Sequence, residues 1–391
     1  MRINLDYASG TPLLPEVRQA MTAALDEAGN PSSIHQAGRK AKRELERARA
    51  QVASLLHAKP DELSFTSCGT ESNSWALRGL VAANKRKGNH LIISAIEHPS
   101  ILLVARRLEL DGAQVTILPV DADGVVSPGA LTAALRPETV LVSIMLANGE
   151  VGTIEPIREL AAVAHEHGTL FHTDAVAAAG HLDIDVRALG VDALSLAANQ
   201  LYGPQGAAAL FVRDGVRILP LLEGGGQEHG GRSGTEHVPA VVGMGVAAEL
   251  ASARLIGTNP AAPLHPSLSE LRHRLRDGLK NGIDRLRVNG SWTSRLPHNL
   301  HVCVDGVSSE SLVLGLDQAG IAAGLGSACN AKAMRPSHVL KAMGLSDEQA
   351  KGALVLSVGV PTTQNEIDQA IEMIPTVVAR LQRVTRLTVR G

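Results

Sequence analysis

The sequence predicts an α/β fold: a mainly parallel sheet covered by helices on both faces, followed by a smaller α+β unit. Three observations carry this expectation. Between residue 61 and about residue 213, short β-like runs at 91–94, 115–118, 140–144, 170–172, 194–196 and 208–212 alternate with helix-length segments, the signature of parallel strands joined by helical crossovers. A chain of 391 residues with 45% hydrophobic content buries a substantial core and divides it between two joined lobes. The stretch Gly-Thr-Asn-Pro-Ala-Ala-Pro at 257–263 is turn-rich punctuation that separates them.

Taken in order, the chain opens on Asp6-Tyr7-Ala8-Ser9-Gly10-Thr11-Pro12, a polar entry loop, and reaches a second turn at 29–35, Gly-Asn-Pro-Ser-Ser-Ile-His. Leu45, Ala48, Val52 and Leu55 then recur at spacings of three and four, which predicts a helix with one apolar face and one charged, solvated face. The run at 63–66 ends in Ser67-Cys68-Gly69-Thr70-Glu71, and a helix with Trp75, Leu77 and Leu80 follows. A glycine and a hydroxyl at such a helix start offer free N–H groups and a positive dipole end, suited to a phosphate. Beyond the linker, Leu268, Leu271, Leu275 and Leu279 predict another amphipathic helix, 285–288 and 299–304 read as strands, and Thr363 with Glu366 forms a capping box for a last helix.

Lys and Arg number 37 against 39 Asp and Glu, a balance without the basic stripe that nucleic-acid binding requires. Small-molecule or protein partners are expected instead. The three cysteines, Cys68, Cys303 and Cys329, are odd in number and lack paired close spacing, so neither a disulfide framework nor a metal site is expected. A reducing cytoplasm suits them. The start MRINLDYASGTP has no apolar core of a signal peptide, and apolar runs such as 140–146 are too short to span a bilayer, so no membrane association is expected.

The stretch with the sharpest chemistry is Asp192 to Gly206, an apolar strand running into Ala197-Ala198-Asn199-Gln200 and then Tyr202-Gly203-Pro204. Strand ends of this kind present side chains to a ligand crevice. Similar strand-to-turn junctions carry Glu97-His98-Pro99, Ala147-Asn148-Gly149-Glu150 and Phe171-His172-Thr173-Asp174. Alone, an Asn-Gly is an ordinary turn and a lone histidine is more often a surface or core residue. A glycine-rich loop, Gly324-Leu325-Gly326-Ser327-Ala328-Cys329, has the small residues of a mobile segment.

These segments, in this order and over nearly the whole chain, resemble the cysteine desulfurases, class V relatives of the aminotransferases. The resemblance implies a fold-type-I pyridoxal-phosphate architecture. Its large domain, residues 14–256, holds a mainly parallel seven-stranded sheet, and its small domain is formed by 1–13 and 257–391. It also implies a homodimer with sites at the interface, and a sulfur-acceptor or cluster-scaffold protein as partner in iron–sulfur cluster assembly. By the same resemblance, Gly69 and Thr70 hold the cofactor phosphate and Thr235, in Arg232-Ser233-Gly234-Thr235, reaches the phosphate of the other subunit. His98 stacks on the pyridine ring, Asp174 pairs with its nitrogen, Asn148 lies near its phenolic oxygen, and Cys329 carries a persulfide.

Four positions depart from that pattern together, beside Ala197, which stands where the family usually has another phosphate-binding serine. The family reads Ser-x-His-Lys where this chain has Ala197-Ala198-Asn199-Gln200. A carboxamide has no nucleophilic amine, so Gln200 forms no Schiff base with pyridoxal phosphate, and Asn199 removes a titratable neighbour. Ala177 stands where the family has a glutamine that bonds the cofactor oxygen, and Val355 where it has the arginine that grips the substrate carboxylate. The expectation is a desulfurase-derived protein in which pyridoxal phosphate is non-covalent at best. It is degenerate for free cysteine and acts as a scaffold or persulfide relay through Cys329. Two alternatives stand beside it: an active desulfurase, or other class V enzyme, with non-covalent pyridoxal phosphate, and a cofactor-free binder of a phosphorylated small ligand.

Overall fold

The computed structural model describes residues 2–27, 29–255, 267–326 and 336–389. The linker at 257–263 and the segment 327–335 with Cys329 lie outside the described residues. Twelve strands are present among the described residues: β1 (Ile3–Leu5), β2 (Leu63–Thr66), β3 (His90–Ser94), β4 (Gln114–Leu118), β5 (Thr139–Ser143), β6 (Leu170–Asp174), β7 (Ala193–Ala197), β8 (Ala208–Val212), β9 (Arg287–Asn289), β10 (Asn299–Cys303), β11 (Ile321–Ala323) and β12 (Ala353–Ser357).

Seven of them form one sheet in the order β2-β8-β7-β6-β5-β3-β4. The pairs from β7 through β4 are parallel, and β8 runs antiparallel to both β2 and β7. Every residue of β3, β5 and β7 is buried, because helices cover both faces, which is why these strands read as unbroken apolar runs in place of an alternation. β4 is the edge and its residues are mostly solvated. Since β3, β5, β6 and β7 are parallel, their carboxyl ends deliver the segments starting at Ala95, Ile144, Ala175 and Ala198 to one rim of the sheet, where open α/β sheets bind ligands.

A second core collects Ile3 and Leu5 with Leu271, Leu275, Leu300, Leu312, Leu354 and Ile374. Here β1 pairs with β11 in parallel, and β12-β10-β9 form an antiparallel sheet. The amino-terminal strand is therefore built into the carboxy-terminal half of the chain. The strand expected at 285–288 begins only at Arg287, because Arg285 has φ +57°, a left-handed conformation that interrupts extended pairing. The capping box is formed as the sequence implies: Thr363 N–H donates to Glu366 at 2.7 Å and Glu366 N–H to the Thr363 hydroxyl at 3.2 Å.

One described helix, Val238–Leu255, is long and apolar enough to cross a bilayer, and half of it is buried inside the chain. It packs on Pro15–Leu25 and Gln36–Leu55. A Cβ at Gly245 would lie 2.7 Å from the Ala48 backbone, so this glycine lets two backbones approach as core helices do.

Candidate functional site

Asp174 closes β6 and is buried. Its carboxylate accepts the Val176 N–H at 2.9 Å and the Asn73 amide at 2.7 Å. Burial still holds its pKa above the ordinary carboxylate value, against those donors and the nearby His98. Asn73 gives its second amide proton to the Ser100 hydroxyl at 2.9 Å, and that hydroxyl bonds His98 Nδ1 at 2.7 Å. Nδ1 also accepts the Ser100 N–H at 3.2 Å, which leaves the ring proton on Nε2. His98 is thus the cap of helix Pro99–Leu110 and the exposed end of a relay that starts at Asp174. Behind it, His172 lies between the Ser143 and Ser195 hydroxyls at 2.8 and 3.0 Å, and burial pushes its pKa down to about 3.

The helix Gly69–Ala83 begins at Cys68 without any side-chain cap on its first N–H groups. A Cβ on Gly69 would sit 2.7 Å from a Val176 methyl, so only glycine lets this helix start against the end of β6. Thr70 is exposed beside it. Arg232 bonds Glu71 in this first turn at 2.8 Å and brings the 232–235 segment, with its exposed Thr235, against the same helix. Burial opposes ionisation of Glu71, but the Arg232 guanidinium and the Ser67 donors overcome it and hold the carboxyl below its usual range. An uncapped helix start suits a phosphate, and a buried carboxyl, whose ionised form desolvation leaves in want of a cation, suits a pyridinium proton. The residues present therefore fit pyridoxal phosphate at both ends.

At the position where the resemblance puts the cofactor lysine stands Gln200, a carboxamide without a nucleophilic amine. Gln200 lies in a short turn after β7, half-buried, and its amide donates to the Ala8 carbonyl at 3.1 Å. The neighbouring Asn199 carbonyl accepts from Thr11 N–H and hydroxyl at 2.9 and 3.0 Å, and Thr11 Oγ1 in turn accepts the Tyr202 N–H at 2.7 Å. The pair is thereby fastened to the amino-terminal segment. Ala177 offers only a methyl, against which a Cβ on Gly149 would rest at 3.4 Å.

Asn148 is buried with both ends of its amide engaged. Its oxygen accepts from Glu150 and Val151 N–H at 2.9 Å each, and its nitrogen donates to Ile96 O at 3.0 Å and Met145 Sδ at 3.4 Å. Val355 is buried on β12, directly across from His301 on β10. His301 Nε2 stands 3.7 Å from Glu150 Oε1, and neither atom has a hydrogen-bond partner among the described residues. Burial pushes Glu150 up to about 8 despite a bond from Ser337, and drives His301 down to about 3. Gly326 lies over this pair, since a Cβ there would come within 2.8 Å of Glu150 Oε1. Cys303 is a buried thiol pushed up to about 11 by burial, although the Asn289 amide donates to it at 3.1 Å.

Asn73, Ser100 and His172 escape sequence reasoning. Asn73 follows Thr70 by three positions and so shares its helix face, which is the one available signal.

The family model "Aminotransferase class-V" matches residues 3–370. The chain is 44% identical over 387 residues to cysteine desulfurase IscS of Methanosarcina thermophila, covering 99% of this chain and 94% of that one. It is 42% identical over 389 residues to cysteine desulfurase IscS of Clostridium botulinum, covering 99% and 96%. Among solved structures, a NifS-like protein superimposes with a TM-score of 0.90 at 34% identity, covering 97% of this chain and 100% of the other. SspA in complex with cysteine gives 0.80 at 35% identity, with 92% and 99% covered.

Proposed function

This chain belongs to the cysteine desulfurases of the class-V aminotransferase family, and from that membership we propose that it serves sulfur transfer in iron–sulfur cluster assembly without desulfurating free cysteine. The observation that carries the proposal is Gln200, whose carboxamide is bonded to Ala8 O where the family places the cofactor lysine. Ala177 and Val355 support it, because a hydrogen-bonding side chain and a substrate cation are replaced by apolar groups in the same site. A lost charged hydrogen bond weakens binding by about tenfold to a hundredfold, but losing the amine removes covalent activation and proton transfer together. The protein then acts as a scaffold, or as a relay in which the Cys329 thiolate takes the outer sulfur of a donor persulfide, releases the donor's thiol, and passes that sulfur to a sulfur-acceptor or cluster-scaffold protein. It works as a cytoplasmic homodimer, a state that membership in the cysteine desulfurases supports.

The Asp174–Asn73–Ser100–His98 relay and the uncapped start of Gly69–Ala83 favour one second reading, an enzyme that holds pyridoxal phosphate non-covalently. Thr70, Gly69 and Thr235 would hold the phosphate, Asp174 the ring nitrogen, and His98 the ring face near Asn148. When bound, the cofactor supplies an electron sink for charge developing on a substrate. Asp174 would pair with the ring nitrogen and favour its protonated form, and the Nε2 proton of His98 is the one this chain presents at the rim. Sulfide release from cysteine, measured with pyridoxal phosphate and a thiol reductant, separates the readings. The proposal expects none above a protein-free control. Release that disappears in Cys329→Ala establishes the second reading in its place.

A further inference from the structure

On the unit that follows the linker, Trp292 is surrounded by three guanidiniums. Arg276, Arg272 and Arg295 lie 4.0, 5.1 and 5.7 Å from its ring centroid. Trp292 is 38% exposed and forms a wall of a surface cleft of about 350 Å³, which Arg276, Lys280, Asp123 and Gly290 also line. Arg272 and Arg295 are only 5% and 6% exposed, yet neither pairs with a carboxylate among the described residues. Arg295 bonds the Ser291, Asn289 and Asn299 carbonyl oxygens. Arg272 bonds Leu296 O and the His273 ring, and its Nε has no partner among the described residues.

A buried cation without a counter-charge is unfavourable unless something else supplies the anion. The carboxylates at hand are Asp123 and Asp277, and Asp277 is bonded to Arg276 at 2.5 Å. Arg276 and Lys280 line the opening while Arg272 and Arg295 stand behind it, around Trp292, and these four cations have two carboxylates among them, an excess of two positive charges. Burial, and after it the Arg272 charge, lowers Arg295 to about 10, and burial followed by the Arg276 charge lowers Arg272.

We propose that this cleft is a binding site for a small oxyanion-bearing ligand of the phosphate or diphosphate class. Arginine forks match the geometry of such oxyanions, and the volume is that of a small-ligand site. Lys280, at the end of helix Leu268–Gly282 and exposed, adds a mobile charge at the mouth, and Trp292 orients Arg276 from behind.

Isothermal titration of the full chain with inorganic pyrophosphate, at constant ionic strength, tests this. Saturable binding is expected, with a component weakened about tenfold to a hundredfold in Arg276→Gln and to a lesser degree in Lys280→Gln. Both residues lie on the helix surface, and unchanged circular dichroism shows that the variants fold. The uncapped start of Gly69–Ala83 is the other phosphate-seeking place, so Thr70→Val is titrated in parallel, and the binding component that Arg276→Gln removes is expected to persist in it. Absence of saturable binding, or binding lost in Thr70→Val and retained in Arg276→Gln, overturns the proposal. Neither outcome depends on whether the chain turns over cysteine.

Discussion

Replacing Gln200 by lysine is the most direct probe of what this site has kept. The native carboxamide makes one neutral hydrogen bond, to Ala8 O at 3.1 Å, and losing it costs about 0.5–1.5 kcal/mol. At about 2–4 °C of Tm per kcal/mol for chains somewhat smaller than this one, Gln200→Lys stays folded with a shift of a few degrees. The position is half-buried at the end of β7, beside the Asp174-bearing β6, so a lysine there starts from the same rim as the relay. The assay is incubation with pyridoxal phosphate, borohydride reduction, and peptide mass mapping. The wild type is expected to lose its cofactor on gel filtration and to carry no stable label, whereas the variant is labelled on the peptide containing position 200. Two results would refute the reasoning: high-yield labelling of one lysine in the wild type, or a folded Gln200→Lys protein that takes no label.

Two other expectations concern stability. Arg49 and Glu228 form a buried two-point pair at 2.7 and 2.9 Å, and Glu228 also accepts the Phe65 N–H, so Glu228→Gln leaves a buried guanidinium short of charge and lowers the unfolding free energy by about 3–5 kcal/mol. An unchanged urea midpoint would show that the site relaxes around the loss. Burial raises Glu97, Glu150 and Glu155 from 4.5 to about 8; as acids with raised folded pKa values, they contribute stability that is full below pH 4.5 and lost as pH rises through about 8. The buried His172 and His301, lowered from 6.5 to about 3, contribute stability that is present above pH 6.5 and lost as pH falls toward 3. Thermal unfolding followed from pH 6.5 to 8.5 should therefore show a declining Tm, with a shallower decline in Glu150→Gln. An equal or steeper decline in that variant means that Glu150 is ionised and paired with His301.

The sequence by itself determined everything that depends on neighbours along the chain. Alternating apolar runs and helical spacings establish the strands of the main sheet, since periodicity is a local consequence of which face is buried. The Thr363–Glu366 box, the glycine at the start of Gly69–Ala83, and the missing amine at Gln200 are equally local, because a cap, a close approach and a functional group are properties of single residues or short spacings. Arg285 marks where local reasoning failed, as a positive φ is set by the turn it closes and not by its own side chain.

Only the tertiary structure decided what faces what. The order β2-β8-β7-β6-β5-β3-β4 gathers strand ends from residues 94 to 197 onto one rim, and no spacing in the sequence encodes that order. Asn73 and Ser100 link Asp174 to His98 across 101 and 27 residues, Gln200 finds Ala8 across 192, and His301 meets Glu150 opposite Val355. The guanidiniums around Trp292 are likewise ordinary surface arginines until packing buries two of them. Burial is what turns such residues into a site, because desolvation makes each unpartnered charge or polar atom matter, and desolvation exists only once the chain has folded.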